Sequence, residues 1–290
     1  MGAGTGKIFY VECGTLAFCF PPKTHKIQPS QNGALFLLKF ILSKEHVDAI
    51  KRNTRQFSGI DFPVLRDLAE KRLKATLSIY DVETSNFRNT WNFGITELSM
   101  LSINPDGSMY MFSSLFNPGY PITPIVAEKT GITDDMVRTA PSWKSLGAPL
   151  FHHLAHKGNH LLGYNNKRFD RWCISDSNTR CNYCGALVKE EREYDIYPVV
   201  TKFFGRKVKL SDAAQRLSID MASLGGSFHR AGSDVIATAF VADRVLNEMG
   251  FDILFMNSCS RTKKVPSGET QKQMFPEKGC GKESGRVFEF

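Results

Sequence analysis

The run Leu77-Ser-Ile-Tyr-Asp-Val-Glu-Thr84 sets two carboxylates into an otherwise apolar stretch. Leu77, Ile79, Tyr80 and Val82 read as a buried strand. A strand alternates its side chains with a period of two, so Asp81 and Glu83 point to the same side. Two like charges side by side repel, and burying them is costly. A cation between them removes both objections. An exposed acidic strand end is the other reading, and so short a spacing matches by accident often enough that it does not choose alone. The residues downstream decide.

The chain has 290 residues, 42% of them hydrophobic, enough for one substantial core, or one domain with appendages. No apolar run reaches membrane-spanning length. The longest, Ala34–Leu38, is short and is followed by Lys39. It lies too deep in the chain, without a cleavage pattern, to read as a signal peptide. Gly2 follows Met1, but Gly6 stands where a myristoylation pattern needs Ser or Thr. Seven scattered cysteines argue against a disulfide framework and for a reducing compartment, cytoplasm or nucleus. Cys181-Asn-Tyr-Cys184 has zinc-knuckle spacing. No second pair follows, and His152, His153, His156 or Cys173 would have to complete four ligands through the fold, so an incidental or structural pair is favoured.

Charge is distributed unevenly. Residues 1–76 hold 12 Lys and Arg against 6 Asp and Glu, and residues 261–290 hold 7 against 4, which leaves 77–260 at −1 of a total of +8. Basic flanks around a near-neutral middle suit an acid-rich site that meets a polyanion; flanks that only aid solubility explain the same numbers.

Residues 1–76 read as an extension of unknown role, with helices over 44–56 and 63–74. From 77 the pattern sharpens. Strands over Leu77–Thr84, Phe93–Ile103 and Ser108–Phe116, with Asn104-Pro-Asp-Gly107 as a turn, predict an antiparallel meander. Short helices open at Thr123-Pro124 and Thr133. Ser142–Lys157 reads as a helix, Leu161–Tyr164 as a buried strand, and Phe169–Asp176 as the opening of a helix. Helices follow over Asp195–Phe204, Leu210–Leu217 and Ser233–Met249, with Ser233 or Asp234 as the cap of the last. The predicted fold is α/β, a mixed sheet with an antiparallel meander plus parallel strands, flanked by helices. The domain spans 77–250, and 251–290 reads as a basic, disordered tail.

Two further acids and a histidine stand out. Asp170 follows the short strand in Gly163-Tyr-Asn-Asn-Lys-Arg-Phe-Asp170, where it can face Asp81 and Glu83 or serve only as a favourable acid at a helix start. His229 lies in a Gly-rich loop five residues before Asp234. A loop histidine is usually just solvated, but opposite a carboxylate-lined strand it suits proton transfer.

The order Asp-x-Glu, then Asp, then His-x-x-x-x-Asp resembles the DEDDh 3′→5′ exonucleases, a ribonuclease-H-like group that includes the proofreading subunit of bacterial replicative polymerase, ribonuclease T and the three-prime repair exonucleases. The resemblance covers about residues 76–250. Ile95-Thr-Glu-Leu98, Phe116-Asn-Pro118 with Ile132-Thr133, Asn165–Asp170 and Leu210-Ser-Asp-Ala213 resemble intervening signatures. It implies that Asp81, Glu83, Asp170 and Asp234 hold two Mg²⁺ or Mn²⁺ ions, that His229 deprotonates the attacking water, and that Thr84, Phe87, Asn165 and Phe169 meet the substrate. Such ions, about 3.5–4 Å apart, activate the nucleophile and stabilise the leaving oxygen, and hard oxygen ligands suit them. Two departures stand out: Thr84-Ser-Asn-Phe87 replaces a Thr-Thr-Gly continuation, and Tyr164 stands where histidine often precedes Asn.

The implied function is hydrolysis of phosphodiester bonds at the 3′ ends of nucleic acid, single-stranded or frayed, with DNA favoured and nucleoside 5′-monophosphates as products. An exoribonuclease and an inactive nucleic-acid-binding module are the alternatives. The implied partner is nucleic acid rather than membrane; protein partners, including a second copy, stay open.

Overall fold

The protein is described by a computed structural model over residues 43–88, 90–183, 187–221 and 228–256. The expectations for residues 1–42, Cys184 and the tail from 257 lie outside these residues. Helix α1 (Lys44–Arg52) leads into strand β1 (Thr54–Gln56), and α2 (Pro63–Asp67) runs on into a π-helical turn over Leu68–Leu73. The meander follows as β2 (Leu77–Thr84), β3 (Ile95–Ile103) and β4 (Met109–Leu115). Short helices α3 (Pro124–Thr130) and α4 (Asp134–Val137) precede α5 (Gly147–His156), β5 (His160–Gly163), α6 (Asp170–Arg180) and β6 (Glu193–Asp195). The chain continues through α7 (Tyr197–Phe204), α8 (Leu210–Arg216), α9 (Ala231–Met249) and α10 (Ile253–Met256).

The expected mixed sheet is present. Its six strands run in the order β1-β4-β3-β2-β5-β6, antiparallel from β1 to β2 and parallel from β2 through β5 to β6. Helix α9 packs across β2 and β3 on one face, over Leu77, Ile79 and Leu101. Its Val235, Ala239, Ala242, Val245 and Leu246 are buried at the spacing of one helical stripe, and its alanines allow close approach. The other face carries Tyr80, Val82, Leu98 and Met100, with α5 and α6 over them and Val47 and Ile50 of α1 in the same cluster.

The elements that differ from expectation are short. Residues 54–56 leave the expected 44–56 helix and pair with β4, and Asp195 ends a strand rather than opening a helix. Three-residue strands are too short to show a period. The described part of the N-terminal extension is built into the same body: Phe62, Leu65 and Leu68 are fully buried. Asp243 of α9 accepts the N–H groups of Val64 and Leu65 at 2.9 and 3.0 Å, which serves the start of α2 in place of a local cap. At the other end, residues 251–256, assigned from sequence to the tail, form α10 and bury Ile253 and Leu254. The expected helix over 142–157 is broken: a 3₁₀ turn at Trp143–Ser145 precedes α5, whose Gly147 lies so close to Trp143 that a Cβ there would meet the ring at 2.2 Å.

Candidate active site

Strand alternation does to β2 what the spacing predicts. Asp81 and Glu83 are half-buried while Tyr80, Val82 and Thr84 are buried. The register of β2 on β3 shifts between Glu83 and Thr84, a bulge of the kind that re-aims side chains beside active sites. Helix α9 begins over this face and brings Asp234 in its first turn. Ligand oxygens of Asp81, Glu83 and Asp234 all lie within 4.8 Å of one another. Among the described residues this is the one group of three or more acids, histidines or cysteines so gathered.

Asp170 arrives from the other side of β2. The Val82 N–H donates to its Oδ1 at 3.0 Å, and the side chain is buried. Its place is set by a network under the turn from β5 into α6. The Tyr80 hydroxyl donates to Glu193 Oε1 at 2.6 Å, Asn166 Nδ2 donates to the same oxygen at 3.1 Å, and Arg171 pairs with Glu193. Gly163 makes room for that turn, since a Cβ there would meet the Asn166 Cβ at 2.5 Å. Asn165, at φ 61°, donates its N–H to Asp195 at 2.8 Å.

His229 stands at the rim, exposed, with φ 71°. Its backbone N–H donates to the Asp234 carboxylate at 3.3 and 3.4 Å, which ties the histidine to the acid five residues on. The expected substrate contacts differ in exposure. Phe87 is 59% exposed beyond the end of β2, Phe169 packs on the α6-side core, and the buried Thr84 hydroxyl donates to the Asn86 carbonyl at 3.0 Å. Tyr164, the departure from the family pattern, donates its hydroxyl to the Val208 carbonyl at 2.6 Å.

The family model described as exonuclease, of the ribonuclease T type, matches residues 78–242, which holds all four acids and the histidine. The chain belongs to this exonuclease family. Curated relatives include PolC-type DNA polymerases III of Bacillus cereus, 25% identical over 66% of this chain and 13% of theirs, and of Oceanobacillus iheyensis, 30% identical over 42% and 8%. The chain thus spans only a small part of those polymerases. Among solved structures, Escherichia coli exonuclease I in complex with a dT13 oligonucleotide superposes with a TM-score of 0.53 at 20% identity, over 62% of this chain and 43% of that one. The likeness is one of fold, ribonuclease-H-like.

In this member of the family burial, with neighbouring carboxylates, raises all four acids. Burial first, then the charges of Asp170, Glu83, Asp234 and Glu97, hold the Asp81 carboxyl well above the usual carboxylate range. Burial, with Asp234, Glu97 and Asp170, pushes Glu83 up to about 8, while Lys129 pulls the other way. Burial takes Asp170 up to about 7 against the bond from Val82, and Asp234 to about 6 against the bond from His229. The donor set is all carboxylate oxygen, and Asp81, Glu83 and Asp234 gather their oxygens around one space. Such a set fits Mg²⁺ or Mn²⁺. For His229 the shift is downward, from burial first and then from Lys129 and Lys209, so the imidazole is neutral near pH 7.

Glu97 and Arg230 border this site; the sequence marks Glu97 only within the Ile95–Leu98 signature and does not single out Arg230. Glu97 lies opposite Glu83 in the β2–β3 register. Arg230 donates to it from Nε and Nη2 at 3.0 and 2.8 Å, and the Ala231 N–H donates at 3.0 Å. Glu97 therefore caps α9 from a neighbouring strand, and the helix starts at Ala231, ahead of the expected Ser233. Arg230→Ala leaves an unpaired carboxylate beside the cluster. A cost of about 2 kcal/mol is expected, below that of a fully buried pair because the Arg230 side chain is 36% exposed. Urea unfolding checks this, and Glu97→Gln added to Arg230→Ala should recover most of the loss.

Proposed function

We propose that this member of the exonuclease family is a divalent-metal-dependent 3′→5′ exonuclease that releases nucleoside 5′-monophosphates from single-stranded or frayed DNA ends. The observation that carries the reading is the convergence of Asp81, Glu83 and Asp234 within 4.8 Å, with Asp170 against the same strand and His229 at the rim. Asp81, Glu83, Asp170 and Asp234 hold the ions, two by family resemblance. When bound, the ions lower the pKa of the attacking water and stabilise charge on the scissile phosphate.

The chain's own residues do the rest. Neutral His229 takes the water's proton on its imidazole, a role its lowered pKa suits. Lys129, close enough to pull on Glu83, Asp234 and His229, offers a cation to the phosphate. Phe87, exposed just past the acids, offers a ring for the terminal base to stack on, and Asn165 and Phe169 lie on the turn that leads to Asp170. Stacking is indifferent to the sugar, so RNA is the second substrate to test. Cys173 and Cys181 are free thiols, in keeping with an intracellular site of action.

A single-stranded oligonucleotide labelled at its 5′ end, as DNA and as RNA, tests the reading. With Mg²⁺ the label should pass through a ladder of shortening fragments, and with EDTA it should stay at full length. Release of labelled mononucleotide at the outset would mean the opposite polarity. His229→Ala should lower kcat by about 10²–10⁴-fold with KM little changed.

A further inference from the structure

The α9 face of the sheet changes character along its length. One row across the strands is Ile79, Leu101 and Met111, apolar and beneath α9. The next row is Asp81, Ser99 and Ser113, and the Ser113 N–H donates to the Asn53 carbonyl at 3.0 Å. Polar side chains on a core-facing sheet need either partners or solvent. Ser99 and Ser113 bond to each other at 2.8 Å, and past Ser113 the row runs out from under the helix into an open groove of about 400 Å³. Its floor includes Glu97, Ser113 and Asn53; its far wall is Met136 and Thr139–Pro141, and Arg230 stands on the near side.

Position and charge point to one occupant. The groove begins where the acid cluster ends, because Glu97 is both its floor and the partner of Glu83 in the sheet. Arg230 uses Nε and Nη2 on Glu97, which leaves Nη1 for another acceptor. Among the described residues Glu97 is the one carboxylate lining the groove, and it is already paired by Arg230 and the Ala231 N–H. Just beyond the lining residues, Arg55 lies opposite Met111 in the register, one row from Ser113, and is exposed at the sheet edge. Lys51 and Arg52, also exposed, immediately precede Asn53. The strip runs from a guanidinium beside the acids, over hydroxyl and amide groups, to a basic edge. β1 lies three strand spacings from β2, about 14 Å.

We propose that this groove is a track for the sugar–phosphate backbone of the substrate strand upstream of its 3′ end, with Arg230 at its head and Arg55 on the sheet edge just beyond it. The proposal rests on the exonuclease reading of the acid cluster. It assigns a binding role to residues 53–55, which lie outside the 78–242 family match. The occupant is the digested strand itself, because the groove is continuous with the site that holds the strand's end.

Arg55→Glu and Thr139→Glu change exposed residues on the sheet edge beside the groove and on its far wall, away from the acids. Fluorescence anisotropy of the full chain in EDTA, with a labelled 12-nucleotide single-stranded DNA and a labelled dinucleotide, reads binding apart from cleavage. Each variant should weaken 12-mer binding about tenfold, and Arg55→Glu should lower the log–log salt slope by about 1. Dinucleotide binding should not change. With Mg²⁺, KM for the 12-mer should rise in step while dinucleotide kcat stays at the wild-type value. Wild-type affinity for the 12-mer in both variants overturns the track. So does equal weakening for both lengths, which places the defect at the acids, or weakening confined to a duplex, which places the complementary strand in the groove. If the wild-type protein cleaves nothing, the exonuclease reading fails, and the anisotropy still decides the track.

Discussion

Asp81→Asn should abolish nuclease turnover and, in the same molecule, make the metal-free protein more stable. Asp81 lies at the centre of the cluster, raised by burial and by four other carboxylates. Asparagine keeps the shape and one oxygen but removes the charge that would hold a cation. The loss expected is on the order of 10³-fold in kcat/KM, about 4 kcal/mol of barrier. The gain in stability follows from the same crowding: a neutral amide is not repelled by Glu83, Asp234 and Asp170. Steady-state digestion and thermal unfolding in EDTA measure the two halves. An active Asp81→Asn variant would remove the acid cluster from the mechanism. An inactive variant with lowered Tm would mean that Asp81 serves the fold instead.

The second large effect is a stability that falls as pH rises and returns with cation. Asp81, Glu83, Asp170 and Asp234 all have folded pKa values above their ordinary ones, with Glu83 at about 8, Asp170 at about 7 and Asp234 at about 6. An acid whose pKa is raised by folding binds more proton in the folded state. Its contribution is fully present below the unfolded value near pH 4 and is lost as pH climbs through the folded value. The metal-free protein should therefore lose Tm between pH 5 and pH 9, by on the order of 10 °C for a domain of this size. Mg²⁺ or Mn²⁺ should restore it, more at pH 8 than at pH 6, since ionised carboxylates bind the ion and protonated ones do not. His229, with its pKa lowered, moves the other way and adds stability as pH rises, a smaller effect for an exposed residue. A Tm in EDTA that is flat or rising over this range would mean that folding does not raise these acids.

Much of this was open to reading in one dimension. The alternation of β2 is local physics, and it put Asp81 and Glu83 on one side before any fold was known. The meander and the long last helix carry a period long enough to see, and the parallel strand after the meander shows as a short apolar run. The strands at 54–56 and 193–195 were missed because three residues show no period and because each is held by its neighbour in the sheet. Family order supplied Asp170, His229 and Asp234, which no spacing rule joins to Asp81.

Glu97 marks the boundary between the two kinds of information. In sequence it is an acid in the middle of an apolar strand, a place where burial argues against a charge. What makes it tenable is Arg230 and the start of α9, 133 and 134 residues away. The groove beside it is a tertiary feature of the same sort: Asn53, Ser113 and Thr139 are unremarkable polar residues until two strands and a loop set them around one space. By itself the sequence determined the alternation that pairs Asp81 with Glu83, the kind of sheet, and the order of acids that marks the family, because each is written in neighbouring residues or in their succession. The tertiary structure alone decided how close the acids come, which lysines and which arginine answer them, and where the open part of the sheet lies. Electrostatic energy depends on distance through space and on what excludes water, and neither is a function of position along the chain.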